Sequence, residues 1–326
     1  MECRILRVAF FVIIGYLLAS CGVGSSNSTS TKPLANNFII VGDQGTIANY
    51  NAASNQITDM TESTESTYFK AVAYDGNNLV VAGTNRITTF NLKNGVLSFV
   101  GYPVIGIPCY SAMYHDGRFI VGGGLFAAMI LSSIDGGESF TRDNPTSWSS
   151  SFGSFNAMTY GGGKFIAVGP GAGGRNIIAT SIDGESWNNG YGLDYNSLNG
   201  VAYGNGKFVV VGSGGEIITS TNGESWIKSP APNGSIDLFG VIYGNNKFVS
   251  VGNSGTLLVS TDGILWKTES SGTTHTLHAI AYGNNHFVAV GDNGTIIKSI
   301  DGESWNVLPL MKGGKNNYGI TYIGSN

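Results

Sequence analysis

Short apolar segments, separated by turns that contain glycine, recur along the chain from residue 38 to its end. In each repeat a tyrosine ends one segment, and an aromatic residue or leucine follows five positions later inside the next segment. Six such tyrosines stand 39 to 46 residues apart: Tyr74, Tyr114, Tyr160, Tyr203, Tyr243 and Tyr282. Short apolar segments bounded by Gly and Asn are typical of β-strands joined by hairpin turns. The pattern therefore predicts a repeated unit of antiparallel strands.

Each unit has room for four strands, which we label a to d. In the unit around Tyr203 the pattern predicts strands over Leu198 to Tyr203, Lys207 to Gly212, Glu216 to Ser220 and Ser225 to Lys228. Strand d of one unit then leads to strand a of the next.

The two ends of the repeat region complete each other. The chain ends with half a unit at Tyr322, and the region begins with the missing half at Phe38 to Gly42. A closed ring must pair its two ends, and one blade built from both termini does this without an unpaired edge. Residues 38–326 are therefore predicted to be all-β. We expect a seven-bladed β-propeller of four-stranded antiparallel blades, closed by a composite blade from Tyr318 to Tyr322 and residues 38 to 58.

Composition supports this fold class and narrows the function. The 326 residues include 49 glycines, 12% are charged and 42% are hydrophobic. So many glycines disfavour helices, and the apolar content excludes an intrinsically disordered chain. The net charge of −4 provides no basic surface, so we expect no nucleic-acid partner.

Residues 1–20 have the features of a signal peptide. Arg4 and Arg7 precede an apolar run over residues 8–18 that is too short to span a bilayer. The run leads into Leu-Ala-Ser-Cys at 18–21, which resembles the lipobox of bacterial lipoproteins. The resemblance implies cleavage before Cys21 and acylation of that cysteine, and several acyl chains anchor a protein stably. The alternative is an ordinary secretory signal in which Cys21 stands by chance.

Residues 21–37 follow as the lipidated cysteine and a tether rich in Gly, Ser, Thr and Asn, a composition typical of flexible linkers. Gly22, rather than Asp, follows Cys21, which for a Gram-negative lipoprotein implies the outer membrane. We therefore expect a lipid-anchored protein of the cell envelope with a monomeric propeller domain.

Cys109 is the single cysteine of the propeller region, so no disulfide can form within it. Its neighbours Ile107, Pro108 and Tyr110 are typical of a packed segment. We expect Cys109 to be a small apolar core residue rather than a nucleophile.

A second motif falls on the predicted c–d hairpins of five units, and it reads Ser-Ile-Asp-Gly-Glu-Ser-Trp at 181–187 and 299–305. It resembles the bacterial neuraminidase repeat, or Asp-box. In such a turn a short carboxylate or amide binds backbone N–H groups and an aromatic ring covers the hairpin. Most copies are one residue shorter than the usual Ser-x-Asp-x-Gly-x-Thr-Trp. We assign a structural role to Asp135 and Phe140, Asp183 and Trp187, Asn222 and Trp226, Asp262 and Trp266, and Asp301 and Trp305.

The repeats together resemble propellers of bacterial surface proteins that are similar to sialidases and to photosystem II stability/assembly factors. In the sialidases three arginines hold the substrate carboxylate, a Tyr–Glu pair supplies the nucleophile, and an Asp acts near an Arg-Ile-Pro segment. The propeller region has the arginines Arg86, Arg118, Arg142 and Arg175 and no Arg-Ile-Pro segment. We expect Arg118 on the opposite face from the other three, and we predict no catalytic residues.

Other chemistry has little support in the sequence. A glycosidase needs two carboxylates on one face, for which the candidates are Asp43, Asp143, Asp194, Glu216 and Asp292. Asp43 and Asp292 lie in Asp-x-Gly turns, where we expect their side chains to bond their own backbone. No Cys/His cluster has metal-ligand spacing, so we expect neither a metal nor a cofactor.

The repeats differ most between residues 141 and 197. Extra residues are expected in loops at 141–154, 169–176 and 188–197, all on the face with the b–c and d–a connections. Aromatic and charged side chains on loops of a rigid scaffold are typical of recognition surfaces. The candidate binding residues are Arg142, Trp148, Phe152, Arg175, Tyr191, Asp194 and Tyr195.

These features predict an envelope lipoprotein whose propeller is a non-catalytic platform for binding or assembly. Its partner would be an unidentified envelope protein or a glycan. A sialidase-like carbohydrate-active enzyme, either a glycoside hydrolase or a lyase, is one alternative, and a purely structural spacer is another.

Overall fold

The computed structural model describes residues 37–61, 67–93, 95–124, 127–143, 153–171, 175–194, 196–229, 231–232, 234–311 and 313–324, and only the backbone of 189–194. Within these ranges the strands form seven four-stranded antiparallel sheets, which are the blades. No helix in the same ranges is long and apolar enough to cross a membrane.

Every blade contains the same four strand positions, a to d, and the strands at each position are given in the order of blades 1 to 7. Strand a is β28 (Asn317–Tyr322), β4 (Phe69–Tyr74), β8 (Cys109–His115), β12 (Ala157–Gly161), β16 (Leu198–Gly204), β20 (Leu238–Gly244) and β24 (Leu277–Gly283). Strand b is β1 (Asn37–Gly42), β5 (Asn78–Gly83), β9 (Arg118–Gly123), β13 (Lys164–Pro170), β17 (Lys207–Gly212), β21 (Lys247–Gly252) and β25 (His286–Gly291). Strand c is β2 (Ile47–Asn51), β6 (Arg86–Lys93), β10 (Met129–Ser133), β14 (Arg175–Ser181), β18 (Ile217–Ser220), β22 (Leu257–Ser260) and β26 (Ile296–Ser299). Strand d is β3 (Gln56–Asp59), β7 (Val96–Ile105), β11 (Thr141–Arg142), β15 (Asn188–Asp194), β19 (Ile227–Ser229), β23 (Lys267–Thr268) and β27 (Asn306–Val307).

The seven-bladed propeller predicted from the repeats is confirmed. Blade 1 is the composite blade, because β28 pairs with β1 and sets Ile40 opposite Ile320. Each strand a contacts the strands a of the two adjacent blades, so these strands surround a central channel. In blade 5 strand d begins at Ile227 rather than at Ser225, because the Ser225 N–H donates to the side chain of Asn222 at 2.9 Å within the turn.

The hydrophobic core lies between adjacent blades. Strands b and c are buried along most of their length, as in β17 and β18, since each blade packs on two neighbours. One cluster joins Val209 and Val211 of blade 5 to Phe248, Leu258 and Trp266 of blade 6. Because both faces of a blade are covered, few positions accept a charged side chain, which accounts for the low charge content.

Cys109 belongs to the cluster between blades 2 and 3. Its side chain is buried, and this burial raises the pKa of the thiol to about 12. Such a thiol stays protonated near neutral pH and is a poor nucleophile. The structure confirms that Cys109 is a packed core residue.

The repeated tyrosine at the end of strand a packs against the preceding blade. A Cβ atom added to Gly283, at the end of β24, would lie 2.2 Å from Cγ of Tyr322 in blade 1. A Cβ atom on three further glycines would overlap the tyrosine ring of the next blade in the same way. The pairs are Gly161 with Tyr203, Gly204 with Tyr243, and Gly244 with Tyr282. Glycine is needed there because a side chain would occupy the volume of the ring.

The c–d turns have the geometry expected from their motif. In blade 4, Asp183 Oδ1 accepts the backbone N–H groups of Glu185 and Ser186 at 2.9 and 2.8 Å. The indole N–H of Trp187 donates to the carbonyl of Gly184 at 3.1 Å, and its ring covers the base of the hairpin. Asp262 and Asp301 make the same bonds, and in blade 5 an amide replaces the carboxylate at Asn222. These side chains are bound within their own turns.

Hydrogen bonds to the ionised carboxylates lower the pKa of three of these aspartates to about 2. The backbone N–H of Ser186 is the largest cause for Asp183, and that of Ser304 is the largest cause for Asp301. For Asp135 the largest cause is the hydroxyl of Ser139. An Asp in an unfolded chain has a pKa of about 3.9, so folding lowers the pKa of all three.

We expect Gly283→Ala to destabilise the ring by about 1–3 kcal/mol, because the new methyl group overlaps the Tyr322 ring. Gly101→Ala is the matched control, since a Cβ there meets nothing within 4 Å. Urea unfolding measures both. Equal midpoints for the two variants would contradict the tight contact between blades 7 and 1.

The turn aspartates should make stability depend on acid pH. Their pKa values are lower in the folded chain, so their contribution is present above about pH 4 and is lost as the pH falls toward about 2. The combined variant Asp135→Asn, Asp183→Asn, Asp301→Asn copies the amide of Asn222 and should flatten this dependence. Urea unfolding at a series of pH values measures it, with the exposed Asp116→Asn as control. An unchanged slope in the triple variant would show that other groups cause the acid sensitivity.

Candidate functional site

A β-bulge at the start of strand a sets the position of one side chain in six of the seven blades. In blade 5, Leu198 lies opposite Gly212 and Gly200 opposite Val211, so Asn199 has no partner in the ladder. The same shift in register leaves one residue of strand a unpaired with strand b in five other blades: Lys70, Tyr110, Phe239, His278 and Tyr318. In blade 4 the equivalent residue is Asn156, which precedes β12 and donates its backbone N–H to Val168 at 2.9 Å. A bulge residue is released from strand pairing and its side chain is redirected.

These seven residues surround one end of the channel, and we call them the channel-mouth ring. The ring consists of Lys70, Tyr110, Asn156, Asn199, Phe239, His278 and Tyr318. It lines a cavity of about 470 Å³ on the face that carries the b–c and d–a connections. Ligand sites in proteins have volumes of about 300–1,000 Å³, so this cavity is large enough to be one.

Two further rows of strand a residues form the wall and the bottom of this cavity. The wall consists of Ala71, Ser111, Ala157, Gly200, Gly240, Ala279 and Gly319. The bottom, which we call the waist, consists of Val72, Ala112, Met158, Val201, Val241, Ile280 and Ile320. The waist also borders a cavity of about 940 Å³ at the opposite end of the channel. We call the space between the ring and the waist the cup.

The two asparagines of the ring are bound to the adjacent blade. Asn199 donates its side-chain N–H to the carbonyl of Leu238 in blade 6 at 2.9 Å. Asn156 donates to the carbonyl of Leu198 in blade 5 at 3.3 Å. Because their amides join neighbouring blades, these two residues have a structural function in the ring.

The other side of the ring is aromatic and basic. The ring centroids of Phe239 and His278 are 5.6 Å apart, and those of His278 and Tyr318 are 5.0 Å apart. Lys70 Nζ lies 3.1 Å from the centroid of the Tyr318 ring, which is the geometry of a cation–π contact. Four consecutive blades, 6, 7, 1 and 2, therefore present a continuous row of these side chains.

Two aspartates of b–c turns support this row. Asp292 Oδ1 lies 2.7 Å from Nε2 of His278, and Asp43 Oδ2 accepts the backbone N–H of Asn316 at 3.2 Å. The expectation that both side chains bond their own turns is wrong. The backbone carbonyls of Asp43 and Asp292 already accept the N–H groups of Thr46 and Thr295. The Asp43 carboxylate instead reaches Asn316, just before strand a of blade 1, and the Asp292 carboxylate reaches His278 on strand a of blade 7.

Burial shifts the pKa of Lys70 and that of Tyr318 in opposite directions. It lowers the pKa of Lys70, although the Asp43 carboxylate acts in the opposite direction. It raises the pKa of Tyr318, and the charges of Asp43 and Asp292 act in the same direction. The Tyr318 hydroxyl is therefore neutral near neutral pH and can donate a hydrogen bond.

The binding residues predicted from the sequence are only partly described. Trp148, Phe152 and Tyr195 lie outside the described residues, as do the side chains of Tyr191 and Asp194. Arg142 is exposed in β11, opposite Leu131, and Arg175 is exposed at the start of β14. The expected loop at 188–197 is wrong in part, because residues 188–194 form β15 and pair with β14. Recognition by these residues stays a prediction.

The other candidate groups are engaged elsewhere. The Arg86 guanidinium lies over the Tyr102 ring, 4.3 Å from its centroid, and Arg118 forms an ion pair with Glu185. Glu216 is buried and accepts hydrogen bonds from Asn196 and Lys228 at 2.9 and 2.8 Å. Within the described ranges no group of three or more His, Cys, Asp or Glu side chains could hold a metal ion.

The channel-mouth ring was not predicted from the sequence, although the repeat contains a signal for it. Each ring residue stands four positions before the repeated tyrosine, as Asn199 stands before Tyr203 and His278 before Tyr282. The next residue is Ala, Ser or Gly in all seven units, while the ring position differs. A variable position inside an otherwise regular strand marks a residue that the strand itself does not require.

Comparisons with known proteins extend the fold assignment and leave the family open. No protein-family model matches the chain, and no curated protein matches it. Among solved structures, the computationally designed Ika8 protein has a TM-score of 0.58 and 14% sequence identity, over 87% of this chain and 86% of that chain. YCF48 from Cyanidioschyzon merolae also has a TM-score of 0.58 and 14% identity, over 78% of this chain and 88% of that chain. At this level of identity the similarity to these two chains concerns the fold alone.

Proposed function

We propose that this protein is a lipid-anchored platform of the cell envelope that binds a partner at its channel mouth without catalysis. The channel-mouth ring is the observation that carries this proposal. The blades repeat one packing scheme, yet the start of strand a places Lys, Tyr, Asn, Asn, Phe, His and Tyr at equivalent points around one cavity. A rigid ring that holds different side chains in fixed positions is suited to selective binding, because little order is lost when a ligand arrives.

The first described residue of the propeller lies on the face opposite the channel mouth. Cys21 would carry the lipid, and the tether enters the propeller at Asn37, whose carbonyl accepts the N–H of Ile323 at 2.9 Å. Asn37 begins strand b of blade 1 and so lies on the a–b face.

A carbohydrate-active enzyme is the second candidate, and one observation favours it. His278 and Asp292 form a pair at 2.7 Å, next to Tyr318 and on the side of the mouth that carries Asp43. A histidine oriented by a carboxylate can transfer a proton, and two carboxylates can serve a glycosidase. Turnover of sialosides or envelope polysaccharides that disappears in both Asp43→Asn and Asp292→Asn would favour this enzyme over the platform.

The platform is tested by crosslinking in intact envelopes with the full-length lipidated protein as bait. The variant Phe239→Ala, His278→Ala removes two adjacent aromatic side chains of the ring and should abolish capture of the partner. The matched control is Ile182→Ala, Ile300→Ala, which removes two exposed side chains from c–d turns on the opposite face. Capture that survives the ring variant, or that is lost in the control, would contradict the channel mouth as the binding site.

The anchor has its own test. Cys21→Ser removes the thiol that the lipobox resemblance marks for acylation, so we expect the protein to move from the membrane fraction to the soluble fraction. Metabolic labelling with a fatty-acid analogue measures the acylation directly. Unchanged membrane association together with unchanged labelling would contradict the anchor and leave the channel mouth unaffected.

A further inference from the structure

The lining of the cup changes from polar at the rim to apolar at the bottom. The wall beneath the ring is made only of Ala, Gly and Ser, and the waist below it is aliphatic. Close packing between blades explains the small wall residues: a Cβ at Gly319 would lie 2.8 Å from the carbonyl of Lys70, and a Cβ at Gly200 3.1 Å from that of Phe239. The small wall residues therefore let the inner strands of adjacent blades lie close together around the cup.

The chemistry of the cup favours an apolar occupant. Ser111 is the one wall residue with a hydroxyl, and it donates to the buried carbonyl of Phe155 at 3.1 Å. The waist side chains are aliphatic except for the thioether of Met158, and four of them, Val72, Val201, Val241 and Ile280, are buried. A large apolar side chain placed at this depth would contact the aliphatic waist and lose its own water.

The rim favours a negative charge beside that occupant. Among the described residues no carboxylate lies within 4 Å of Lys70 Nζ, whose near contact is the face of Tyr318. Burial lowers the pKa of Lys70 even with Asp43 nearby, so the ammonium lacks full compensation. A carboxylate from a ligand could approach from the solvent side and form a charge-assisted hydrogen bond.

We propose that the cup receives a loop of a partner protein, with one large apolar side chain inserted toward the waist and an adjacent Asp or Glu paired with Lys70. This inference rests on the proposed platform and decides between its two partner classes in favour of a protein. An apolar anchor buried in a central pocket and surrounded by polar contacts is the usual arrangement of an interface hot spot. The volume of about 470 Å³ accommodates one such side chain with its flanking backbone.

The test uses a library of random cyclic peptides, selected against the full-length protein in detergent. The selected peptides should share a large apolar residue next to Asp or Glu. A synthetic peptide of the best sequence is then titrated against two variants, Ala279→Leu, which fills the cup, and Lys70→Met, which removes the rim charge. Both should weaken binding by roughly tenfold or more. Thr159→Leu at the opposite end of the channel and the exposed Lys93→Met are the matched controls and should bind as the parent does.

The outcomes separate this inference from the platform. Peptides that bind Ala279→Leu and Lys70→Met as tightly as the parent protein would overturn it. Enrichment of no peptide, with binding of neutral or acidic oligosaccharides that Ala279→Leu blocks, would also overturn it and would identify a glycan instead. In either case the envelope crosslinking with the Phe239 and His278 variant still reports on the platform. Thermal melting of each variant shows that a lost signal is not a lost fold.

Discussion

The pairing of β28 with β1 is the contact on which the propeller depends. It joins the last described strand to the first, with Phe38 opposite Tyr322, and so turns a row of repeats into a ring. Each blade buries two faces, and without this pairing blades 7 and 2 would each have an apolar face against an incomplete neighbour. Because the paired residues lie at opposite ends of the sequence, their contact has a high entropic cost, which the packing of all seven blades offsets.

Packing between blades also explains the composition. Glycines recur where a tyrosine of the next blade occupies the volume of a side chain, as at Gly204 against Tyr243. Others stand at the end of strand b, where a Cβ on Gly212 would lie 2.2 Å from the carbonyl of Ser197. Ion pairs such as Lys164 with Glu224 join neighbouring blades at the surface. The abundance of glycine and the scarcity of charge thus have one cause.

The fold could be predicted from the sequence because its signal is repeated. The fixed spacing of a tyrosine, an aromatic residue and a glycine indicates the strand positions in one unit after another. The half units at the two ends of the repeat region indicate that the ring closes. The site could not be predicted in the same way. Asp43 and Asp292 occupy turns in which an Asp side chain usually bonds to the backbone of its own turn. Only the folded structure shows that these two carboxylates reach Asn316 and His278 instead. Neither His278 nor Lys70 stands out in the sequence. They become candidate site residues only because the fold brings them to the same channel mouth.

The β-bulge at the head of strand a has a consequence for how such a protein changes over time. In a regular strand each side chain is constrained by partners on both sides, so a substitution that alters recognition also alters stability. A bulge residue has no partner in the ladder, and Phe239, His278 and Tyr318 occupy equivalent points with unrelated chemistry. A substitution at these positions therefore leaves the strand pairing unchanged while it alters the lining of the channel mouth. New specificities can arise there one blade at a time, while the ring that holds them stays the same.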